Sequence, residues 1–235
     1  MFGVPKLGRR SRPLLTAFLA LCFLPIGGVL VHALIPPPMT ILMAQQVIGG
    51  RGLDYRWRGL NDISPNLVYA AIAAEDARFC SHSGFDMEAI QKALQRNQEG
   101  GRVRGGSTIS QQTAKNVFLW PSRDWIRKGL EAGYTVLIET VWSKRRVMEV
   151  YLNVAEWAPG VYGAEAAARH WFGKSARDLT PREAARLAAI LPSPRRYDAA
   201  RPGPYVRRRA ARIQASANVV RNEGMATCVT RPGQG

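Results

Sequence analysis

The chain has 235 residues, enough for one globular domain with a substantial core and an appendage. Its 33 basic and 17 acidic residues give a net charge of +16, which indicates an anionic partner: nucleic acid, a membrane surface or a phosphorylated substrate. Three cysteines are too few for a disulfide framework, and the lack of CxxC and HExxH spacings argues against a structural zinc site.

The N-terminus predicts a membrane anchor. A basic tail, residues 1–13, precedes a run at residues 14–35 that has no charged side chain apart from His32. At about 1.5 Å per residue, such a helix crosses a hydrocarbon core of about 30 Å. Because no convincing cleavage site follows, we predict an uncleaved signal-anchor with a cytoplasmic N-terminus and a periplasmic catalytic domain at the inner membrane. A cleaved signal peptide would lead to the same side, and both interpretations disfavour nucleic acid as the partner.

An irregular connector is expected at residues 36–62. The cysteines leave one question open. Because Cys22 lies in the predicted membrane helix, Cys80 and Cys228 are the only pair that could meet in an oxidising compartment. The sequence does not decide whether they do.

The first candidate site is the end of a helix that begins with Ser64 as cap and Pro65 as first residue. Its apolar face is expected to comprise Leu67, Ala70, Ala71 and Ala74. Glu75 falls in the last turn, where the partial negative charge of the carbonyl groups should raise the pKa of its carboxyl and favour proton abstraction. The alternative is a solvated pair, Glu75 and Asp76, at a helix end.

A second candidate site follows a glycine-rich segment, residues 100–106, which is either a mobile lid or a flexible connector. Thr108 and Gln111 match a capping box at the start of the next helix. Thr108, Gln112 and Lys115 recur at i, i+4 and i+7. This polar stripe is either a solvated face or a row of donors aimed at an anionic group.

A long helix is predicted from Arg123 to Val141, with Ser122 as its cap. Its buried stripe should comprise Ile126, Leu130, Leu137 and Val141. Arg127, Lys128 and Glu131 can meet on one side of this helix as ion pairs. Ordinary surface ion pairs would have the same spacing and contribute only about 0.3–0.5 kcal/mol.

The other helices have recognisable starts. Asp86, Ser143 and the Thr180–Glu183 segment are predicted caps. A basic helix is expected at residues 205–224, and a flexible tail at residues 223–235. No alternating strand pattern of any length occurs, so the outer domain should be nearly all helical.

Four ordered stretches of the chain resemble motifs of the peptidoglycan glycosyltransferases, glycosyltransferase family 51. They are Glu75–Gly84, Gly105–Asn116, Arg127–Glu131 and Lys144–Asn153. The resemblance extends from about residue 63 to residue 201 and predicts a glycosyltransferase domain at residues 63–222. Since the chain ends shortly afterwards, it resembles the monofunctional form, which lacks a transpeptidase domain. The small departures are Ser110 in place of threonine and Cys80 in place of an aromatic residue.

The resemblance implies an all-α, lysozyme-like domain behind one transmembrane helix. It implies polymerisation of lipid II into β-1,4-linked glycan strands with release of undecaprenyl diphosphate. By motif position, Glu75 is the catalytic base. Glu131 is the second catalytic residue and positions the cations or a divalent metal, Mg²⁺ or Mn²⁺. The substrate-binding residues implied are Asp76, Phe79, His82, Ser107, Thr108, Gln112, Lys115, Asn116, Arg127, Lys128 and Glu149.

Within this set the expected roles differ. Lys115, Arg127 and Lys128 would receive the leaving diphosphate, with Gln112 as a neutral donor. Asp76 and Glu149 would orient neighbouring groups, while Phe79 and His82 would support the turn after Glu75. The implied partners are lipid II, the growing glycan strand, the membrane and other cell-wall synthesis proteins.

Two other hypotheses remain at this point. A lytic muramidase would share the helical fold and the single acidic residue, but it needs no diphosphate-binding cations. A non-catalytic wall-binding protein would have no use for the pair Glu75 and Glu131.

Overall fold

The computed structural model describes residues 11–98, 106–122 and 124–230. Within these residues the chain forms helices α1 (Ser11–Leu34), α2 (Ile41–Ile48), α3 (Pro65–Glu75), α4 (Met87–Gln98), α5 (Ile109–Phe118), α6 (Trp125–Val141), α7 (Lys144–Val154), α8 (Ala164–Phe172), α9 (Pro181–Ile190), α10 (Pro204–Asn222) and α11 (Thr227–Thr230). The strands are β1 (Asp54–Tyr55), β2 (Glu156–Ala158) and β3 (Val161–Tyr162). The predicted, nearly all-helical outer domain is confirmed. Residues 99–105, which include most of the predicted glycine-rich lid, and residues 1–10 of the basic tail lie outside the described part.

The strands form one small sheet in the order β1-β3-β2. β1 is parallel to β3, with Asp54 opposite Val161, and β2 is antiparallel to β3. Gly160 makes the β2–β3 turn with φ of +75°, and a Cβ atom there would lie 2.3 Å from the carbonyl oxygen of Gly52. Only glycine fits this turn.

The core surrounds α7. Seven of the eight residues from Val147 to Val154 are buried, and the exception is Glu149. Two groups of helices meet there. α3 packs against α9 and α10, whereas α5 packs against α6 and α7. The C-terminal end of α3 lies where the two groups meet, because Glu75 and Asp76 accept hydrogen bonds from Gln112 and from the amide of Ile109 on α5.

The predicted buried stripe of α6 is wrong. The buried side chains of this helix are Arg127, Glu131, Thr135 and Ile138. Ile126 is 76% exposed, Leu130 and Val141 are also exposed, and Leu137 is half-buried. Trp125, at 90%, is exposed as well. Three of the four buried side chains of α6 are thus polar, and most of the apolar side chains in its N-terminal half face outward, unlike an ordinary surface helix.

Two predicted caps also differ. Ser64 precedes α3, but its hydroxyl donates to the carbonyl of Leu179 (2.9 Å) instead of capping the helix. α6 begins at Trp125, and Asp124 caps it by accepting from the amide of Arg127 at 2.7 Å. Ser122 instead donates to the Asp124 carboxylate. Arg123, where the helix was predicted to begin, lies outside the described residues.

The last turns of α1 are fastened to the domain. The indole nitrogen of Trp142 donates to the carbonyl of Val29 at 2.8 Å, and the Arg146 guanidinium donates to the carbonyl of His32 at 3.0 and 3.1 Å. The hydroxyl of Tyr55 donates to the carbonyl of Pro37 at 2.7 Å. Over the described residues, no helix combines the length and the apolar character needed to cross a membrane.

A disulfide joins Cys80 to Cys228, with 5.7 Å between their Cα atoms, and answers the question that the sequence left open. Cys80 lies in a short 3₁₀ turn, Phe79–Ser81, and Cys228 lies in α11. Val229 beside it is fully buried. The prediction of a flexible tail is therefore wrong for residues 223–230, while residues 231–235 lie outside the described part.

We expect the disulfide to contribute to stability. It closes a loop with a sequence separation of 148 residues, and such a loop corresponds to about 5 kcal/mol in the chain-entropy model. Cys228→Ser should lower the melting temperature in detergent by about 5–15 °C. Cys22→Ser is the matched control and should leave it unchanged. Equal melting temperatures for Cys228→Ser and the unaltered protein would contradict this expectation.

Candidate active site

Glu75 ends α3, as predicted, and its carboxylate is held by two helices. Oε2 accepts a hydrogen bond of 3.0 Å from Nε2 of Gln112 on α5, and Oε1 faces Nη2 of Arg209 on α10 at 3.5 Å. The side chain is 16% exposed. The carboxylate is therefore largely buried but still accessible to a bound molecule.

The pKa of Glu75 is raised above its ordinary value. Burial is the main cause, because it penalises the charged form. The hydrogen bond from Gln112 and the charges of Arg209 and Lys115 oppose the rise, and the neighbouring Asp76 adds to it. The predicted direction is confirmed, but burial is the leading cause rather than the helix end. A carboxylate with a raised pKa is suited to accepting a proton.

The turn after Glu75 is supported from within. Oδ1 of Asp76 lies 2.9 Å from Nε2 of His82, and Oδ2 accepts from the amide of Ile109 at 3.1 Å. Phe79 is fully buried. The hydroxyl of buried Thr108 donates to the carbonyl of Gly84 at 2.6 Å. Asp76, Phe79, His82 and Thr108 thus contact protein groups that fix the turn and the start of α5.

A first cleft, which we call the glutamate cleft, has a volume of about 340 Å³. Glu75, Asp76, Lys92, Ser107 and Thr108 are among its lining residues. Lys128 Nζ lies 3.5 Å from Oγ of Ser107 at one side of this cleft. A candidate base and a cation thus approach the same space.

A second cleft, the cation cleft, has a volume of about 410 Å³ and lies between α2 and the α5–α6 connection. It is lined by Lys115, Asn116, Arg127, Leu42, Leu119, Trp120, Pro121 and Ser122. Burial lowers the pKa of Lys115, and Arg127 and Lys128 lower it further, whereas Glu131 and Glu75 raise it. Lys115 thus lies within the electrostatic reach of both Glu75 and the charges on α6.

The predicted ion pairs on α6 are confirmed. Nη1 of Arg127 lies 2.6 Å from Oε2 of Glu131, and Lys128 Nζ pairs with the other carboxylate oxygen. Glu131 is buried, and it fixes Arg127, which lines the cation cleft, and Lys128, which lies beside Ser107 of the glutamate cleft. A divalent metal at Glu131 stays a prediction. Because both oxygens already face cations, a metal would have to displace one of them.

Among the described residues, one group has the spacing of metal ligands: Asp76, His82 and Asp86. The carboxylate oxygens of Asp76 and Asp86 already have hydrogen-bond or ion-pair partners. Asp86 pairs with the Arg78 guanidinium and accepts from the amide of Ala89 at 2.8 Å, and Asp76 has the two contacts described above. This donor set does not fit a metal ion without rearrangement.

Glu149 lies at a different contact. Its Oε1 accepts from the amide of Leu60 at 2.9 Å, and its other oxygen pairs with Arg146. Since Arg146 also binds the end of α1, Glu149 belongs to the junction between α1 and α7. Among the described residues, Glu149 makes no hydrogen bond or ion pair with Gln112, Lys115 or Lys128.

Arg209 is the site residue that the sequence analysis missed. The sequence predicts a basic helix at this position but no role for Arg209. Val206, Ala210 and Ile213 are buried on α10 at i, i+4 and i+7, and position 209 lies at the edge of that apolar stripe. A basic residue beside a helical apolar stripe could have marked it as facing inward.

The family model described as Transglycosylase matches residues 44–218. The chain belongs to this family. It is 56% identical over 216 residues to a protein named biosynthetic peptidoglycan transglycosylase from Caulobacter vibrioides, covering 92% of this chain and 94% of that protein. The family resemblance predicted from the four motifs is confirmed.

Two further relatives have the same name. One, from Rhodospirillum centenum, is 50% identical over 233 residues, covering 99% of this chain and all of that protein. Another, from Pseudomonas aeruginosa, is 53% identical over 202 residues, covering 83% and 87%. The chain is therefore an enzyme of the transglycosylase family, and the muramidase hypothesis is not favoured.

Proposed function

We propose that this enzyme polymerises lipid II into β-1,4-linked peptidoglycan strands and releases undecaprenyl diphosphate. The observation that carries the proposal is one largely buried carboxylate, Glu75, in the glutamate cleft, with Lys115 of the cation cleft within electrostatic reach of both Glu75 and the charges on α6. The name of the relatives, biosynthetic peptidoglycan transglycosylase, supports a role in peptidoglycan synthesis.

Glu75 is the base in this mechanism. Its carboxylate takes the proton from the 4-hydroxyl of an incoming lipid II sugar as that oxygen attacks the anomeric carbon of the growing strand. The carbon–oxygen bond to the diphosphate breaks, and its electron pair leaves with the diphosphate. Direct displacement inverts the α-linked donor to a β-linked product. The proton on Glu75 then passes to water.

The leaving diphosphate requires positive charge more than a strong acid. Lys115 and Arg127 supply it from the cation cleft, and Lys128 supplies it from beside Ser107 of the glutamate cleft. Buried Glu131 holds Arg127 and Lys128 in place. A muramidase forms no diphosphate and would have no need of these three cations. If a divalent cation binds, it would supply further charge neutralisation for the same phosphates, and activity with and without a chelator measures that contribution.

The proposed location is the inner membrane, with α1 as a single-pass anchor and the catalytic domain in the periplasm. Both substrates are membrane lipids. The outward apolar face of α6, which includes Trp125, Ile126 and Val136, gives the domain a surface suited to the bilayer. The Cys80–Cys228 disulfide fits an oxidising compartment.

Replacing the base is the first test. Glu75→Gln should lower extension of labelled lipid II in detergent at least about 100-fold, because the amide cannot accept the hydroxyl proton. The melting temperature should remain close to that of the unaltered protein. Glu223→Gln, at an exposed position, is the matched control and should remain active. Undiminished polymerisation by Glu75→Gln would refute the role of the base, and shortening of preformed glycan by the unaltered enzyme would favour a muramidase.

The two perturbed pKa values predict a bell-shaped dependence of kcat/KM on pH. Activity should fall on the acid side as Glu75 is protonated, and it should fall on the alkaline side as Lys115 loses its proton. Lys115→Ala should lower turnover at least about tenfold and abolish the alkaline fall in the residual activity. A loss of melting temperature without a change in the profile would indicate a structural role for Lys115. Lys174→Ala is the control.

The membrane location has its own test. Protease added to spheroplasts should digest the catalytic domain, because it lies outside the cytoplasmic membrane. In vesicles with brominated lipid tails, tryptophan fluorescence should be quenched less in Trp125→Phe than in the unaltered protein, because Trp125 is exposed on the apolar face of α6. Full protection from protease, or equal quenching, would contradict this arrangement.

A further inference from the structure

Arg209 and Glu75 come from distant parts of the chain and meet at the site. Their sequence separation is 134 residues, and Nη2 of Arg209 lies 3.5 Å from Oε1 of Glu75. At this distance the contact is an ion pair rather than a strong hydrogen bond. Gln112 already holds the other carboxylate oxygen at 3.0 Å. The two donors on opposite oxygens limit rotation of the carboxylate.

The surroundings of Arg209 suit a specific role. Its side chain is 25% exposed, whereas Arg207, Arg208 and Arg212 on the same helix are exposed. Its Nε atom is buried and has no hydrogen-bond partner among the described residues. Because α10 packs directly on α3, the guanidinium of Arg209 lies at the end of α3. Glu75 is the carboxylate with which Arg209 pairs in the described part of the chain.

Polar and charged groups from four helices surround Glu75. Gln112 and Lys115 lie on α5, Arg209 lies on α10, and Asp76 follows Glu75 at the end of α3. From α7, the fully buried phenol of Tyr151 has its pKa raised, mainly by burial and in addition by Glu75 and Asp76. Asp76 and burial favour the protonated carboxyl of Glu75. Gln112, Arg209 and Lys115 oppose both effects, and Arg209 is the cation in contact with the carboxylate among the described residues.

We propose that Arg209 is a positioning residue that keeps the Glu75 carboxylate ionised and oriented toward the acceptor hydroxyl. The proposal rests on the proposed function of Glu75 as the base. Arg209 itself contacts neither the acceptor hydroxyl nor the diphosphate in this mechanism. It acts through Glu75 alone, so its loss should resemble a change in the base and not a loss of substrate binding.

The kinetic test compares Arg209→Gln and Arg209→Lys with a matched control, Arg208→Gln, on the exposed side of α10. In Arg209→Gln, the acid limb of kcat/KM for lipid II should move to higher pH by about one unit. The deficit should be about tenfold below that limb and should shrink to within about threefold at alkaline pH. KM should change less than about twofold, because no substrate contact is lost.

Arg209→Lys should restore most of the activity on the acid side, because it retains the charge, and Arg208→Gln should match the unaltered enzyme. An acid limb of Arg209→Gln that coincides with that of the unaltered enzyme would overturn the proposal. An equal deficit at every pH together with a lower melting temperature would also overturn it, since a purely structural role gives that result.

A second measurement does not depend on activity. Carbon NMR of protein with labelled glutamate carboxyl groups, with the Glu75 signal assigned from its absence in Glu75→Gln, gives the titration midpoint directly. The midpoint should be higher in Arg209→Gln than in the unaltered protein and unchanged in Arg208→Gln. Equal midpoints would overturn the proposal. If the unaltered enzyme failed to extend lipid II, the proposed function would fail, and this titration would still decide whether Arg209 controls Glu75.

Discussion

The site depends on a conflict at Glu75 between burial and charge. A carboxylate in a largely buried position is less stable in its ionised form, yet a base must be ionised before it can accept a proton. The protein resolves the conflict with a neutral donor on one oxygen, Gln112, and a cation beside the other, Arg209. These groups come from α5 and α10, so the meeting of the two helix groups at the end of α3 is what makes the site possible.

A related compensation occurs on α6. Arg127 and Glu131 face the protein from this helix, and burying either charge without the other would be costly. With Lys128 as third member, the cluster has a net positive charge beside the cation cleft. Together with Lys115, whose pKa responds to both Glu75 and Glu131, it forms a positive region within electrostatic reach of Glu75. In the proposed mechanism, the base acts on the attacking hydroxyl and these cations act on the leaving diphosphate.

Local signals predicted much of this arrangement. The helix that ends at Glu75, the capping box of Thr108 and the ion pairs of Glu131 follow from spacing and cap chemistry, which act within one turn of helix. The inversion of α6 did not follow, because a pattern of apolar residues shows which side chains share a face but not whether that face contacts protein. The contact of Arg209 was missed for a similar reason, since tertiary packing alone determines which helix α10 meets.

The fastening of α1 determines how the enzyme can move. The side chains of Trp142, Arg146 and Tyr55 donate hydrogen bonds to backbone carbonyls on the last turns of α1 and just beyond this helix. Because acceptors and donors are spread over several residues, the helix cannot pivot about a single point. The last turns of α1 are therefore held to the domain as one rigid unit. Under the proposed membrane location, the two clefts would keep a constant height above the lipid headgroups, and a growing polymer would slide past a domain that does not tilt to follow it.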